Sequence, residues 1–209
     1  MSAFTAAMHA GQGCAITTRL VVPRARYDEA VASAASIMSG IRAGDPTHPR
    51  TICGPLISAR QRDRVQSYLD LALEEGGTFA CGGGRPADRG AGIYILPTVI
   101  AGLTNDARVA REEIFGPVLT VIAHDGDDDA VRIANDSPYG LSATVFSGDP
   151  QRAAAVAARL RVGTVNVNGG VWYSADAPFG GYKQSGVGRE MGVAGFEEYL
   201  ELKLIATAV

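Results

Sequence analysis

Residues 118–167, VLTVIAHDGDDDAVRIANDSPYGLSATVFSGDPQRAAAVAARLRVGTVNV, alternate short apolar stretches with alanine-rich or acidic segments. The apolar stretches are rich in β-branched residues, which is typical of buried strands. A helix is predicted at 127–135, where three aspartates suit a helix N-terminus, and another after Asp149, which can cap a helix that has Pro150 at its first position. This alternation predicts an α/β fold with a mostly parallel, helix-covered sheet. The predicted strands of this stretch are 118–124, 141–147 and 162–167.

The upstream part of the chain continues the same alternation. Residues 17–22 predict a strand, and apolar residues recur at helical spacing from Tyr27 onward. Ser58 followed by Gln61 is a capping-box pattern that begins a helix, and glycines at 76–77 end it. A further strand is predicted at 92–100.

Both ends of the chain suggest partners outside it. The alanine-rich residues 2–10 predict the last turns of a helix that Gly11 terminates, and a helix this short suggests a missing upstream partner. Residues 199–207, YLELKLIAT, alternate apolar and polar side chains, so we expect a strand that can pair with another subunit. The expected organisation is one main domain over 1–190 and a C-terminal tail over 191–209 with an oligomerisation strand.

Composition excludes several classes of function. A net charge of −3 over 209 residues gives no basic surface for nucleic acid, and no segment reaches the ~18 apolar residues of a membrane span. The N-terminus lacks the basic region of a secretory signal, so we expect a cytoplasmic protein without nucleic-acid or membrane partners. Three cysteines without CxxC or Cys/His spacing indicate at least one free thiol and no metal site.

Cys14 is the first candidate for chemistry. It follows Ala-Gly-Gln-Gly between a predicted helix end and a strand, where a thiol can be exposed and glycines allow backbone N–H groups to face a reacting oxygen. The alternative is an inert, buried cysteine that fills a gap in the core. A self-contained Cys/His hydrolase would need a base, and no spacing singles out His9 for that role.

Two further segments allow more than one interpretation. Residues 111–117, REEIFGP, combine a carboxylate that could accept bonds from two ribose hydroxyls with an aromatic ring that could support a flat heterocycle, or they form a solvated acidic turn with a core phenylalanine. Residues 178–190, PFGGYKQSGVGRE, superficially resemble a phosphate cradle, although close packing of an extended segment explains the glycines equally well. Trp172 and Tyr173 could line an apolar pocket or fill core.

Seven segments in one register resemble the aldehyde dehydrogenase superfamily, and the resemblance covers nearly the whole chain. They are AGQGC, GDP followed by GPLIS, REEIFGPVL, IANDSPYGLSATVFS, GTVNVN, PFGGYKQSGVGRE and GFEEYLELK. The resemblance implies that Cys14 attacks the aldehyde carbon, and that its backbone N–H is one oxyanion donor. It also implies that Glu113 binds the nicotinamide-side ribose of NAD or NADP, with Phe115 beside the nicotinamide.

The resemblance implies further site residues. Glu190 matches a glutamate implicated in proton relay in some members, Phe179 matches a residue of the substrate tunnel, and Trp172 lies in the variable loop that shapes this tunnel. Gln61 and Arg64 lie where some members approach the cofactor.

The resemblance also implies what this chain lacks. The family's cofactor-binding domain, the asparagine of the oxyanion hole and the glutamate that activates water lie upstream of the cysteine, so we expect the C-terminal part of an enzyme, inactive alone. Its expected partners are a small-molecule aldehyde and either further copies or a complementing N-terminal chain. A non-catalytic module that pairs with a full-length relative through 163–168 and 199–207 remains the alternative. A thioesterase-like turnover at Cys14 would need a base that the sequence does not provide.

Overall fold

The computed structural model describes residues 1–89, 92–170 and 173–208. The chain divides into two compact units, Met1–Ser137 and Pro138–Val209. Within the described residues, no helix combines the length and apolar character needed to cross a membrane.

The first unit contains a four-stranded sheet with helices packed against it. Its helices are α1 (Ser2–Ala7), α2 (Tyr27–Ser39), α3 (Ala59–Glu74), α4 (Arg108–Arg111) and α5 (Asp127–Asn135). Its strands are β1 (Arg19–Pro23), β2 (Thr78–Cys81), β3 (Thr98–Ala101) and β4 (Val118–His124). The strand order is β1-β4-β3-β2, with β4 parallel to both neighbours and β2 antiparallel to β3.

The core of the first unit lies on β3 and β4. Leu119 pairs with Val99, and Val121 pairs with Leu20 of β1. Every residue of β3 and all but Ala123 of β4 are buried, as expected for central strands covered on both faces. The mostly parallel α/β architecture predicted from the sequence is therefore confirmed for this unit.

Several predicted helices of the first unit occur where the pattern placed them. Strand β4 and helix α5 have the predicted bounds, and α2 begins at Tyr27. Ser58 caps α3, because its hydroxyl oxygen accepts a bond of 3.2 Å from the Gln61 backbone N–H. The buried residues of α3 are Val65, Tyr68, Leu69 and Ala72.

The second unit holds two small sheets. Its helices are α6 (Pro150–Ala157) and α7 (Gly192–Glu197), and its strands are β5 (Tyr139–Gly140), β6 (Ser142–Val145), β7 (Thr164–Val167) and β8 (Tyr182–Lys183). Strands β6 and β7 are parallel, whereas β5 and β8 are antiparallel. Helix α6 begins as predicted, with the Asp149 carboxylate accepting bonds from the backbone N–H groups of Gln151 and Arg152.

The predicted strand at 199–207 is not a strand in this structure. Residues 199–208 have no assigned secondary structure and are exposed, with Tyr199 87% and Leu202 fully accessible. A strand is defined by hydrogen bonds to a neighbouring strand, and none of the strands in the described residues pairs with this segment. Its role in oligomerisation stays a prediction.

Candidate functional site

Cys14 lies on a tight turn between the end of the N-terminal helical segment and β1. The turn is closed by the Ile16 backbone N–H, which donates to the Gly13 carbonyl at 3.1 Å. The thiol is exposed, as the sequence predicted for a cysteine at such a turn. Among the described residues, none accepts a hydrogen bond from the Cys14 backbone N–H or contacts its sulfur in this way. Neither the thiol nor the N–H is thus engaged within the described part of the chain, where no histidine is paired with the sulfur as a base.

Hydrogen bonds of the Gln12 side chain connect this turn to the segment before α3. Its side-chain oxygen accepts a bond of 2.9 Å from the Ile57 backbone N–H, and its side-chain nitrogen donates to the His9 carbonyl at 3.3 Å. His9 and Ala10 both have positive φ, a conformation that costs a non-glycine residue roughly 1 kcal/mol or more. The backbone before Cys14 is thus held in a strained conformation by specific contacts.

The Cys14 turn packs directly against the REEIFGP segment. Gly11 has φ +70°, and a Cβ built on it would lie 1.9 Å from the carbonyl oxygen of Gly116. A Cβ on Gly116 would in turn lie 2.5 Å from a methyl group of Val65 on α3. Glycine at both positions therefore lets the Gly11 backbone pack against the Gly116 backbone and lets Gly116 pack against the Val65 side chain, so the turn that carries Cys14 contacts the REEIFGP segment.

Helix α3 holds the backbone of residues 113–115 through two side chains. The Gln61 amide nitrogen donates to the carbonyls of Ile114 at 3.2 Å and Phe115 at 2.8 Å. The Arg64 guanidinium donates to the Glu113 carbonyl and lies over the Tyr68 ring, 4.9 Å from its centre. Among the described residues the Gln61 side-chain oxygen does not accept from the Ser58 backbone N–H, so only the Ser58 half of the capping box forms, and the Gln61 amide nitrogen holds the two carbonyls instead.

The structure separates the two adjacent glutamates. Glu112 accepts bonds from the Tyr68 hydroxyl at 2.7 Å and from Arg108 at 2.8 Å. These donors, Arg108 first, hold the pKa of the Glu112 carboxyl below its usual value. The Glu113 carboxylate is exposed and has no hydrogen-bond partner among the described residues. The Glu112 carboxylate is thus already hydrogen-bonded to side chains of the protein, whereas the Glu113 carboxylate is free to bind a ligand.

Phe115 has an unusual backbone and an accessible ring. Its φ of +58° lies in the left-handed region, which aromatic residues seldom adopt. Its side chain is 36% exposed although it follows the buried Ile114. The bond from Gln61 to its carbonyl and the packed Gly116 that follows fix this conformation. An exposed ring beside a free carboxylate fits a flat heterocycle attached to a sugar, so these residues suit part of a dinucleotide site.

The other two cysteines lie in different surroundings. Cys53 is fully buried, and burial raises the pKa of its thiol to about 11, so it stays protonated and inert near neutral pH. Cys81 is half-buried in β2, with its sulfur 3.8 Å from the Pro97 carbonyl. Of the three thiols, Cys14 alone is exposed. Within 1–89, 92–170 and 173–208, no cluster of three or more His, Cys, Asp or Glu residues could hold a metal ion.

The second unit contains a cavity of about 240 Å³ bordered by Phe179. Its lining also includes Gly163 to Asn166, at the start of β7, and Tyr173, whose ring meets that of Phe179 edge-to-face at 5.8 Å. The predicted pocket residue Phe179 is therefore on a cavity wall. Trp172, the other predicted pocket residue, lies outside the described residues.

Glu190 and the glycine-rich segment belong to the same unit. Glu190 forms a two-bond antiparallel bridge with Phe179, of 2.7 and 2.8 Å, and its exposed carboxylate has no partner among the described residues. A Cβ on Gly163 would lie 1.6 Å from the Gly180 carbonyl oxygen, and one on Gly180 would lie 2.7 Å from that of Gly188. Close backbone packing thus accounts for these glycines without a bound phosphate.

The residues that hold the site were mostly not found from the sequence. Tyr68 is one of these residues, a buried side chain of α3 whose hydroxyl donates to the Glu112 carboxylate. The available signal was chemical, since a buried tyrosine usually needs a partner for its hydroxyl. The 44-residue separation of the two positions gave no pattern that would name that partner.

Comparison with known proteins gives consistent matches. Residues 1–205 match the model of the aldehyde dehydrogenase family. The chain is 44% identical over 197 residues to betaine aldehyde dehydrogenase of Bacillus subtilis, covering 93% of this chain and 40% of that protein. It is 45% identical over 197 residues to geranial dehydrogenase of Castellaniella defragrans, again covering 93% and 40%.

Solved structures show the same relationship. An aldehyde dehydrogenase of Mycobacterium tuberculosis complexed with NAD+ superposes with a TM-score of 0.90 and 45% identity, covering 95% of this chain and 41% of that one. Aldehyde dehydrogenase C of Pseudomonas syringae, complexed with NAD+ and octanal, gives 0.92 and 46%, covering 96% and 41%. The chain thus spans about two fifths of the length of the relatives that it matches.

Proposed function

Because the chain belongs to the aldehyde dehydrogenase family, we propose that it supplies the nucleophile and part of the cofactor site of an enzyme that oxidises an aldehyde to a carboxylic acid. One observation carries the proposal. The exposed thiol of Cys14 and the exposed side chains of Glu113 and Phe115 lie on two segments that the Gly11–Gly116 contact joins. A nucleophile and a dinucleotide-binding segment in one packed unit are what this oxidation requires.

Cys14 acts as the nucleophile in this proposal. Its thiolate attacks the carbonyl carbon, a carbon–sulfur bond forms, and the carbonyl electron pair moves to oxygen to give a thiohemiacetal. The unengaged Cys14 backbone N–H donates to that oxygen as its negative charge develops. Loss of hydride with its electron pair restores the carbonyl as a thioester, which water hydrolyses to the acid and the free thiol.

Glu113 and Phe115 hold the nicotinamide end of the cofactor in this proposal. The Glu113 carboxylate can accept two bonds from a ribose, and the Phe115 ring can lie against a flat ring. NAD or NADP, when bound, accepts the hydride. Gln61 and Arg64 hold the carbonyls of this segment, so Glu113 and Phe115 are positioned before a cofactor arrives.

The remaining site residues are assigned by similarity to the family. Phe179, on the wall of the second-unit cavity, matches a residue of the family's substrate tunnel, and Trp172 matches the variable loop that shapes this tunnel in the family. Glu190 takes part in proton relay through its free carboxylate. The relatives named above act on or bind different aldehydes, so the proposed substrate class is an aldehyde without further specification.

We further propose that the chain corresponds to the C-terminal part of the enzyme and is inactive alone. Its match to about two fifths of the length of its relatives supports this interpretation. A second candidate is a non-catalytic assembly module that pairs with a full-length relative. The exposed apolar side chains of 199–205 favour that alternative, because they offer apolar surface that a second chain could cover.

Complementation tests the proposal. The chain would be assayed for NAD- and NADP-dependent oxidation of small aldehydes, alone and co-expressed with the N-terminal half of the Bacillus subtilis relative. We expect turnover only in the co-expressed sample, because the complete cofactor site then exists. Soluble, folded samples that remain inactive together would favour the non-catalytic module.

The two adjacent glutamates provide a matched pair for the cofactor assignment. In the complemented enzyme, Glu113→Gln is expected to raise the KM for NAD by about ten-fold or more, because a charge-assisted hydrogen bond contributes roughly 1.5–3 kcal/mol. Glu112→Gln is expected to leave this KM within about two-fold and to lower stability by less than about 1 kcal/mol, as for other exposed ion pairs. Steady-state kinetics with NAD varied would measure both, and a larger KM effect from Glu112→Gln would reverse the assignment.

A further inference from the structure

A polar network behind the candidate site has Asp136 as its centre. Asp136 follows the last residue of α5, and its backbone N–H closes that helix by donating to Arg132 and Ile133. One carboxylate oxygen accepts a bond of 2.8 Å from Arg111, and the other accepts one of 2.8 Å from the Asn105 amide. A carboxylate at a helix C-terminus is unfavourable towards the helix dipole, so these bonds must offset that cost.

The network reaches β1 through Arg19. The guanidinium donates to the Asn105 side-chain oxygen at 2.6 Å and to the carbonyls of Ala134 and Asp136 at 3.0 and 3.4 Å. Burial lowers the pKa of Arg19, and the Asp136 charge acts in the opposite direction. A partly desolvated cation is retained only where acceptors and an opposite charge surround it, and Asp136 supplies both.

Arg111 and Arg19 are the two arms of this network, and each lies close in sequence to one part of the candidate site. Arg111 is the last residue of α4 and precedes Glu113 by two positions. Arg19 is the first residue of β1 and follows Cys14 by five positions. Asp136 therefore connects the strand that leaves the nucleophile to the helix that enters the cofactor segment, although it is remote in sequence from both.

We propose that Asp136 is a positioning residue that holds the Cys14 turn and the Glu112–Gly116 segment in a fixed relative position. That Asp136 holds these segments rests on the network alone. That this positioning matters for catalysis rests on the proposed function. Loss of the carboxylate removes both the Arg111 ion pair and the bond that holds the Asn105 amide against Arg19, whereas loss of Arg111 affects only the arm that leads to Glu113.

Hydrogen exchange in the chain itself tests this inference. The reporters are the backbone N–H of Ile16, bonded to Gly13, and that of Glu112, bonded to Arg108. In Asp136→Ala we expect both to exchange about ten-fold faster, with exchange in α2 unchanged. In Arg111→Gln, whose side chain is half-exposed and so less critical for folding, we expect faster exchange at Glu112 only.

Asp129→Ala is the matched control, because it removes a carboxylate from the same helix. Asp129 pairs with Arg132 at the protein surface and contacts neither arm, so both reporters should exchange as in the unmodified chain. Uniform acceleration that includes α2, or identical profiles for Arg111→Gln and Asp129→Ala, would overturn the proposal. The measurement needs neither cofactor nor aldehyde, so a negative result counts against Asp136 and leaves the proposed oxidation to the complementation assay.

Discussion

Replacing Cys14 with alanine is expected to lower kcat for aldehyde oxidation in the complemented enzyme by roughly a thousand-fold or more, about 4 kcal/mol in activation free energy. The physical reason is that alanine cannot form the carbon–sulfur bond on which hydride loss depends. The free energy of unfolding should change by less than about 0.5 kcal/mol, because the side chain is exposed and makes no hydrogen bond to a described residue. Steady-state kinetics and thermal unfolding would measure the two quantities on the same samples.

Cys81→Ala is the control for this prediction. Cys81 is half-buried and lies on β2, so its loss should leave kcat within about two-fold and affect only stability. If Cys14→Ala retained wild-type turnover, or if Cys81→Ala removed it, the assignment of the nucleophile would be wrong.

Replacing Gly11 with alanine should be the most damaging change to the first unit. The new Cβ would meet the Gly116 carbonyl oxygen at 1.9 Å, and alanine would also have to adopt φ +70°. Overpacking against backbone and left-handed strain together should lower the free energy of unfolding by about 3 kcal/mol or more. For a chain of this size that corresponds to a fall of about 6–12 °C in Tm, measurable by calorimetry.

Gly76→Ala separates the two causes. Gly76 has φ +85°, but a Cβ there would have no atom within 4 Å, so this variant reports conformational strain without a clash. We expect it to cost about 1 kcal/mol, well below Gly11→Ala. Equal losses of stability in the two variants would show that the Gly11–Gly116 contact is less tight than the structure indicates.

Local patterns accounted for much of the fold. The bounds of β4 and α5 and the start of α2 followed from periodicity and capping residues, because these signals act within one or two turns of chain. The edge strand β2 was not predicted, since only four residues beside glycines carry no distinct pattern. The strand predicted at 92–100 was too long, and β3 begins only at Thr98, after Pro97, which lacks a backbone N–H for a ladder.

The candidate site, like the fold, was predicted only in part from the sequence. Residue types left the state of Cys14 and the role of residues 111–117 open, and the family resemblance singled out Cys14 and Glu113. Neither gave the physical reason that separates Glu113 from Glu112. Two adjacent carboxylates look alike in sequence, and only the positions of Tyr68 and Arg108 show which one is already engaged.

The sequence by itself thus determined the α/β class, the bounds of β4 and α5, and the family, because propensity, periodicity and motif register are properties of neighbouring residues. The tertiary structure alone decided that Gly11 meets Gly116, that α3 holds the carbonyls of 113–115, and that Asp136 links both sides of the site. These contacts join residues 25 to 117 positions apart, and such contacts depend on how the helices and strands pack. A one-dimensional pattern specifies which groups need a partner, and three-dimensional packing determines which partner each one finds.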